Sequence, residues 1–233
     1  MKILITGASR GIGKGIATFL GRNGFHLGLL ARSADLLRET ADAVRAEGGT
    51  AAFAPCDIRD PEAVERAVHQ LAEELGGADG LINNAGLVIQ KSVFDLSLEE
   101  WRAMLETNVS GMFYATRAVL PYLQERRKGH IINISSISGR LPLAGGSAYA
   151  ATKYAVTGFS ESLFLEVREF GIKVTTIFPG SVATRSHRHD AEEDAEWKVR
   201  PEEVGAACRD ILNTAPGNCV SRLEIRPLIP PPK

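Results

Sequence analysis

The feature that most limits what this chain can fold into is an alternation sustained along almost its whole length. Short apolar runs take turns with longer stretches whose apolar residues recur at helical spacing. Residues 3–5, 26–31, 50–54, 80–82, 130–135, 172–178 and 220–225 read as strands. Residues 12–23, 33–47, 61–75, 98–127, 147–170 and 201–213 read as helices, the fourth of them broken near 108–111. The punctuation agrees. Ser33 stands where an N-cap belongs, Gly48-Gly49 where that helix stops, and Pro61 at a first helical position, where its missing N–H costs nothing. Seven strands joined by helical crossovers make a parallel α/β sheet. It is doubly wound, because right-handed crossovers cover both faces. No linker rich in Pro, Gly or Ser divides the 233 residues and no internal repeat is visible, so a single domain is expected.

Composition excludes several classes of function. Lys and Arg number 27 against 28 Asp and Glu, a formal net charge of -1. That gives no electrostatic reason to expect nucleic acid or an anionic membrane as a partner. No apolar run approaches the roughly 18 residues of a membrane span. The chain passes from Met1-Lys2 straight into a strand, leaving no room for a signal peptide. Cys56, Cys208 and Cys219 follow no Cys-x-x-Cys spacing and suit small buried side chains in a reduced compartment, so a cytoplasmic protein is expected. His187, His189 and Asp190 are too few for a metal site, and no metal is expected.

Thr6-Gly7-Ala8-Ser9-Arg10-Gly11-Ile12-Gly13 joins the first strand to the first helix. Glycines there let backbone N–H groups approach a pyrophosphate, at a helix N-terminus that carries partial positive charge. A glycine turn also serves as a plain tight turn; its place between the first strand and the first helix favours a nucleotide. The second strand ends in Ala31-Arg32-Ser33, with no acid to bond a ribose 2′-hydroxyl. Arg32, with Arg10 inside the turn, suits a 2′-phosphate, so NADP(H) is expected over NAD(H). The alternative is two solvated arginines. Asp57, with Ile58 beside it, follows the third strand. It either accepts from the adenine amino group or serves as a loop or capping residue. A dinucleotide-binding half then spans about 1–95 and a substrate half about 96–226, with an extended Pro-rich tail at 227–233.

Tyr149 and Lys153 lie four apart in a predicted helix, on one face. A phenol with a pKa near 10 is a poor acid or base at pH 7, and a neighbouring ammonium stabilises the phenolate and lowers that value. Such a pair is common and by itself means little. What gives it weight is Asn133-Ile134-Ser135-Ser136 at the end of the fifth strand, where open α/β sheets bind ligands. Ser136 has a hydroxyl to donate to a carbonyl oxygen beside the Tyr149 hydroxyl. That makes two donors where charge develops during hydride addition.

In order along the chain stand the glycine turn, Asp57, Asn83-Asn84-Ala85-Gly86, Asn108, Ser136, Tyr149-x-x-x-Lys153 and Pro179-Gly180-Ser181-Val182-Ala183-Thr184. Together they resemble the short-chain dehydrogenase/reductase family in its short, single-domain form, over residues 2–226. The resemblance implies a Rossmann-type sheet and specific roles. Tyr149 would be the general acid in carbonyl reduction and the base in alcohol oxidation. Lys153 would lower the Tyr149 pKa and hold the nicotinamide ribose. Ser136, thirteen residues before Tyr149, would orient the substrate oxygen, in preference to Ser135 or Ser138. Asn108 would hold a water linking Lys153 to solvent. Asn83 to Gly86 would stabilise the sheet, with Asn84, Ala85 and Gly86 near the cofactor. Val182 and Thr184, after Pro179-Gly180, would contact the nicotinamide amide. A homo-oligomer, dimer or tetramer, would form through the helices near 98–127 and 147–170.

The ending departs from the pattern. Many members, 3-oxoacyl-carrier-protein reductases among them, close with an Ile-Thr-Gly run and a Val-Asp-Gly-Gly tail. This chain closes with Arg222-Leu223-Glu224-Ile225-Arg226-Pro227-Leu228. That resembles compact members acting on small carbonyls, alcohols and hydroxy acids, and leaves acyl-carrier reduction as an alternative. Residues 185–197, with His187, Arg188, His189 and the acidic Glu192-Glu193-Asp194, read as a substrate lid. Substrate contacts are expected from 88–92, 141–146 and 184–197. The expected activity is hydride transfer between NADP(H) and a small-molecule carbonyl or secondary alcohol. Against the competing reading, a non-catalytic NADP-binding module, stand the intact Asn108, Ser136, Tyr149 and Lys153. A sugar-nucleotide epimerase would need a longer chain.

Overall fold

The computed structural model describes residues 1–184 and 196–229. The first half runs β1 (Lys2–Thr6), α1 (Gly11–Arg22), β2 (His26–Ala31), α2 (Ala34–Ala46), β3 (Thr50–Pro55), α3 (Pro61–Leu75) and β4 (Gly80–Asn83). It continues with α4 (Leu98–Leu105), a π-helical turn at Glu106–Ser110, α5 (Gly111–Glu125), β5 (Gly129–Ile134) and a 3₁₀ turn at Ile137–Gly139. Then come α6 (Ser147–Val167), a 3₁₀ turn at Arg168–Phe170, β6 (Ile172–Pro179), α7 (Pro201–Leu212) and β7 (Arg222–Ile225). All seven strands are parallel, in the order β3-β2-β1-β4-β5-β6-β7, the doubly wound Rossmann-type sheet expected from the alternation.

The period-2 alternation of β1 splits the core into two layers. Ile3 and Ile5 face a cluster that includes Ile16 and Leu20 of α1, Leu37 of α2 and Val204 of α7. Leu4 faces the opposite cluster, with Val68 of α3, Val119 of α5 and Leu163 of α6. β4 and β5 are buried along their whole length. Between β1 and β4 the chain changes its direction of winding, and there the carboxyl ends of the strands open a crevice.

Local chemistry sets the helix starts. The Ser33 hydroxyl accepts from the Leu36 N–H, and Asp60 accepts from the Glu62 and Ala63 N–H groups ahead of Pro61. Ser97 and Glu100 form a capping box on α4. Three expected boundaries move. The break near 108–111 is a π turn rather than a gap, and the helix beyond it stops at Glu125. α6 tightens into a 3₁₀ turn after Val167. β7 begins at Arg222 rather than 220, and the Val220 carbonyl accepts from the Thr175 hydroxyl. Among the described residues no helix is long and apolar enough to cross a membrane.

Candidate active site

The crevice is a cleft of about 900 Å³, within the usual range of ligand pockets. Its floor is the turn after β1. Gly7 has φ +66°, and a Cβ there would lie 2.8 Å from the Ala85 Cα. A Cβ on Gly13 would lie 2.2 Å from the Gly7 carbonyl oxygen. No side chain caps the first turn of α1, so its leading N–H groups and the partial charge of the helix are left for an anion. Asn84 stitches the end of β4 to this turn. Its Nδ2 donates to the Thr6 and Gly7 carbonyls at 3.1 and 3.2 Å. The N–H groups of Asn84 and Ala85 both donate to the Thr6 hydroxyl at 3.0 Å. Gly7, Ser9, Arg10, Gly11, Ile12, Asn84, Ala85 and Gly86 line the cleft, with Gly13 packed behind the turn.

Under β2 and β3 the lining is Arg32, Ser33, Leu36, Cys56, Asp57, Ile58 and Arg59. Arg59 grips Asp57, with Nη2 2.6 Å from Oδ2. These bonds hold the Asp57 carboxyl below its ordinary range against the opposing effect of burial, and the Arg32 charge adds to them. The α3 cap is Asp60, which leaves Asp57 facing the cleft rather than capping a helix. Burial, with the charges of Asp57 and Asp60, pushes the Cys56 thiol up to about 11, so it is no thiolate at neutral pH.

At the other end, Tyr149 and Lys153 are buried on the first turns of α6, and both line the cleft. The Lys153 Nζ sits 5.8 Å from the centre of the Tyr149 ring and donates to the Ile134 carbonyl at 2.9 Å. Burial lowers its pKa from 10.5 to about 8. Tyr149 packs with Met104 and Ala148 against an apolar wall that includes Leu87, Val88, Trp101 and Leu143. Ser136 lies half-buried two residues past the end of β5. Its hydroxyl oxygen accepts from the Ser138 N–H at 3.1 Å. The 3₁₀ turn it opens packs on α6, where a Cβ on Gly139 would lie 2.7 Å from the Lys153 carbonyl oxygen. Ser135, not Ser136, lines the cleft, but its hydroxyl donates to that same carbonyl at 3.1 Å.

Asn108 is buried in the π turn behind the lining. Its side chain accepts from the Leu87 N–H at 2.7 Å and donates to the Leu87 carbonyl at 2.9 Å and the Thr152 hydroxyl at 3.0 Å. Of the segment after β6, Thr184 lines the cleft against Gly11. Pro179 and Gly180 sit at the sheet end beside Ile225, and Val182 bridges to Val199; none of the three lines the cleft. His187, Arg188, His189, Asp190 and the acidic stretch of the expected lid lie outside the described residues, as does most of the Pro-rich tail. Among the described residues no group of three His, Cys, Asp or Glu side chains could hold a metal. The lining residues that sequence reasoning passed over include Leu36, Cys56, Arg59 and Thr107. Arg59 alone carried a signal, a cation two residues from the carboxylate already singled out.

The model of the short chain dehydrogenase family matches residues 1–195. An uncharacterized oxidoreductase of Staphylococcus saprophyticus is 32% identical, over 97% of this chain and 95% of its own. An alcohol dehydrogenase of the archaeon Thermococcus sibiricus, solved with 5-hydroxy-NADP, superposes with TM-score 0.90 at 29% identity, over 100% of this chain and 98% of its own. The closed form of serine dehydrogenase complexed with NADP+ gives TM-score 0.90 at 33% identity, over 98% of this chain and 95% of its own.

Proposed function

This chain belongs to the short-chain dehydrogenase family, and we propose that within it the protein is an NADP(H)-dependent oxidoreductase of small carbonyls and secondary alcohols. The observation that carries this reading is one cleft with the Tyr149–Lys153 pair at one end and Arg10 and Arg32 at the other. The cleft fits a phosphorylated dinucleotide. The Gly7 and Gly13 positions have no space for a Cβ, α1 starts uncapped, and Arg10 and Arg32 are among the lining residues, which suits a 2′-phosphate. The NADP-type cofactors in the two solved relatives support the same choice. Bound NADP(H) supplies the hydride in reduction and takes it up in oxidation.

The chain's own residues handle the proton. The Tyr149 hydroxyl gives its proton to the carbonyl oxygen in reduction and takes one from the alcohol in oxidation. The Lys153 ammonium stabilises the phenolate left behind. One of its three donors is held by the Ile134 carbonyl, which leaves others for a ribose hydroxyl. Ser136 accepts from the Ser138 N–H and so keeps its own O–H for the substrate oxygen. Ser135 has its proton engaged by the Lys153 carbonyl, which favours Ser136 for this task. A Cβ on Gly86 would lie 3.5 Å from the Asn108 Oδ1 and 3.8 Å from the Lys153 Nζ, so both face one small space. We assign Asn108 the water that relays protons there. The apolar wall beside Tyr149 suits a carbonyl with an apolar neighbour. Exposed Phe113 on α5, and Tyr154 and Leu165 on α6, support pairing with a second copy through those helices.

The test follows NADPH and NADH oxidation by the purified protein across small ketones, aromatic aldehydes, β-keto esters, diketones and acyl thioesters. Turnover with NADPH, at least about tenfold better than with NADH, is the expected result. Equal use of NADH would refute the role given to Arg10 and Arg32. Tight NADPH binding without turnover on any carbonyl would refute the oxidoreductase reading.

A further inference from the structure

The cleft lining includes three arginines, Arg10, Arg32 and Arg59, and one carboxylate, that of Asp57. Their pairing is unequal. Arg59 forks onto Asp57, with Nη2 2.6 Å from Oδ2 and Nε 3.1 Å from both oxygens, while its backbone N–H lies 3.0 Å from Oδ1. Arg10 and Arg32 have no ion-pair partner among the described residues. Arg32 is nevertheless near enough for its charge to act on Asp57. One carboxylate thus has two cations within reach, and Arg59 holds it. Helix capping does not explain the pair, because the α3 cap is Asp60.

We propose that Arg59 is a positioning residue that sets NADP(H) selectivity by holding Asp57 away from Arg32. The inference rests on the NADP(H) reading above. With Asp57 engaged, these charges sum to two positive, and the Arg32 fork is left for the 2′-phosphate. Without Arg59, Asp57 becomes a bare charge beside a phosphate that carries up to two. Arg32 then turns to the carboxylate, and the local sum falls to one positive. The grip is complete on both sides: each carboxylate oxygen accepts two contacts from Arg59.

The probes are adenosine 2′,5′-bisphosphate and adenosine 5′-monophosphate, titrated by calorimetry into the wild type, Arg59→Leu, Asp57→Asn and the double variant. The wild type should bind the bisphosphate more tightly. Arg59→Leu should cut that preference on the order of tenfold, mainly by weakening the bisphosphate, as a nearby unpaired charge does at a partly exposed site. Asp57→Asn should keep or raise the preference. The double variant should return to within about threefold of Asp57→Asn, since no carboxylate remains to restrain. An unchanged preference in Arg59→Leu would overturn the inference. So would a double variant that falls as far as Arg59→Leu, because Arg59 would then be touching the phosphate itself. If Arg59→Leu does not fold, Asp57→Asn decides, and a fall in its preference overturns the inference. A wild type with no preference for the bisphosphate would overturn the NADP(H) reading and this inference with it.

Discussion

Lys153→Met separates what a buried ammonium does for the chemistry from what it costs the fold. Lys153 is buried at the head of α6, and burial lowers its pKa from 10.5 to about 8. Between those two values the unfolded chain still holds the proton that the folded chain has released. Stability must therefore rise as pH rises through that window. A drop from 10.5 to about 8 corresponds to about 3 kcal/mol, at ~1.36 kcal/mol per pH unit. Most of it, about 2 kcal/mol, is recovered between pH 7 and 9.5. Methionine keeps the length of the side chain and carries no proton. Urea unfolding followed by far-UV circular dichroism, on both proteins across that range, isolates the contribution. The wild type should gain about 2 kcal/mol on the variant as the pH rises, while the variant loses turnover by roughly 10²-fold or more. Parallel stability curves would refute the burial argument. A variant that still turns over would refute the catalytic one.

Other outcomes follow from the same geometry. His130, the second residue of β5, has its Nε2 2.8 Å from the Thr175 hydroxyl oxygen, and burial, then the Lys173 charge, lowers its pKa to about 4. The unfolded chain takes up a proton first as pH falls below 6.5, so up to about 3 kcal/mol is lost toward pH 4. His130→Gln should flatten that acid slope, and identical slopes would refute the assignment. Asn108→Ala strips partners from both backbone groups of Leu87 and should cost about 2–4 kcal/mol in urea unfolding; a loss below about 1 kcal/mol would contradict the role given to the π turn. Gly13→Ala drives a methyl group to 2.2 Å from the Gly7 carbonyl oxygen and should weaken NADPH binding on the order of tenfold or more by fluorescence titration. Unchanged affinity would show that the turn tolerates the shift.

The seven strands were legible because each is a short apolar run between turn residues, and right-handed helical crossovers made the sheet parallel and doubly wound; its strand order, with the reversal between β1 and β4, was not read from the sequence. The interruption at Asn108 was legible as a break in apolar spacing, but its π geometry was not. That geometry depends on tertiary contacts, the bonds of Asn108 to Leu87 and Thr152 and the packing of Gly111 on Ile58. The start of β7 was placed two residues early, because the apolar run at 220–225 does not record where pairing with β6 begins. Tyr149 and Lys153 were legible because four residues make one helical face. The Arg59 grip on Asp57 had only their spacing of two as a signal, since a loop has no periodicity to say which arginine a carboxylate will choose.

The central claim is that Tyr149 carries the proton while the rest of the cleft holds the cofactor. Tyr149→Phe removes one oxygen beside an apolar wall and leaves the glycine turn, Arg10, Arg32 and the Lys153 anchor in place. The direct measurement is single-turnover hydride transfer from NADPH to a carbonyl that the wild type reduces, with NADPH affinity measured on the same preparation. The account predicts transfer slowed by roughly 10²–10⁴-fold with affinity unchanged. Transfer at the wild-type rate, or affinity lost together with it, would contradict the account.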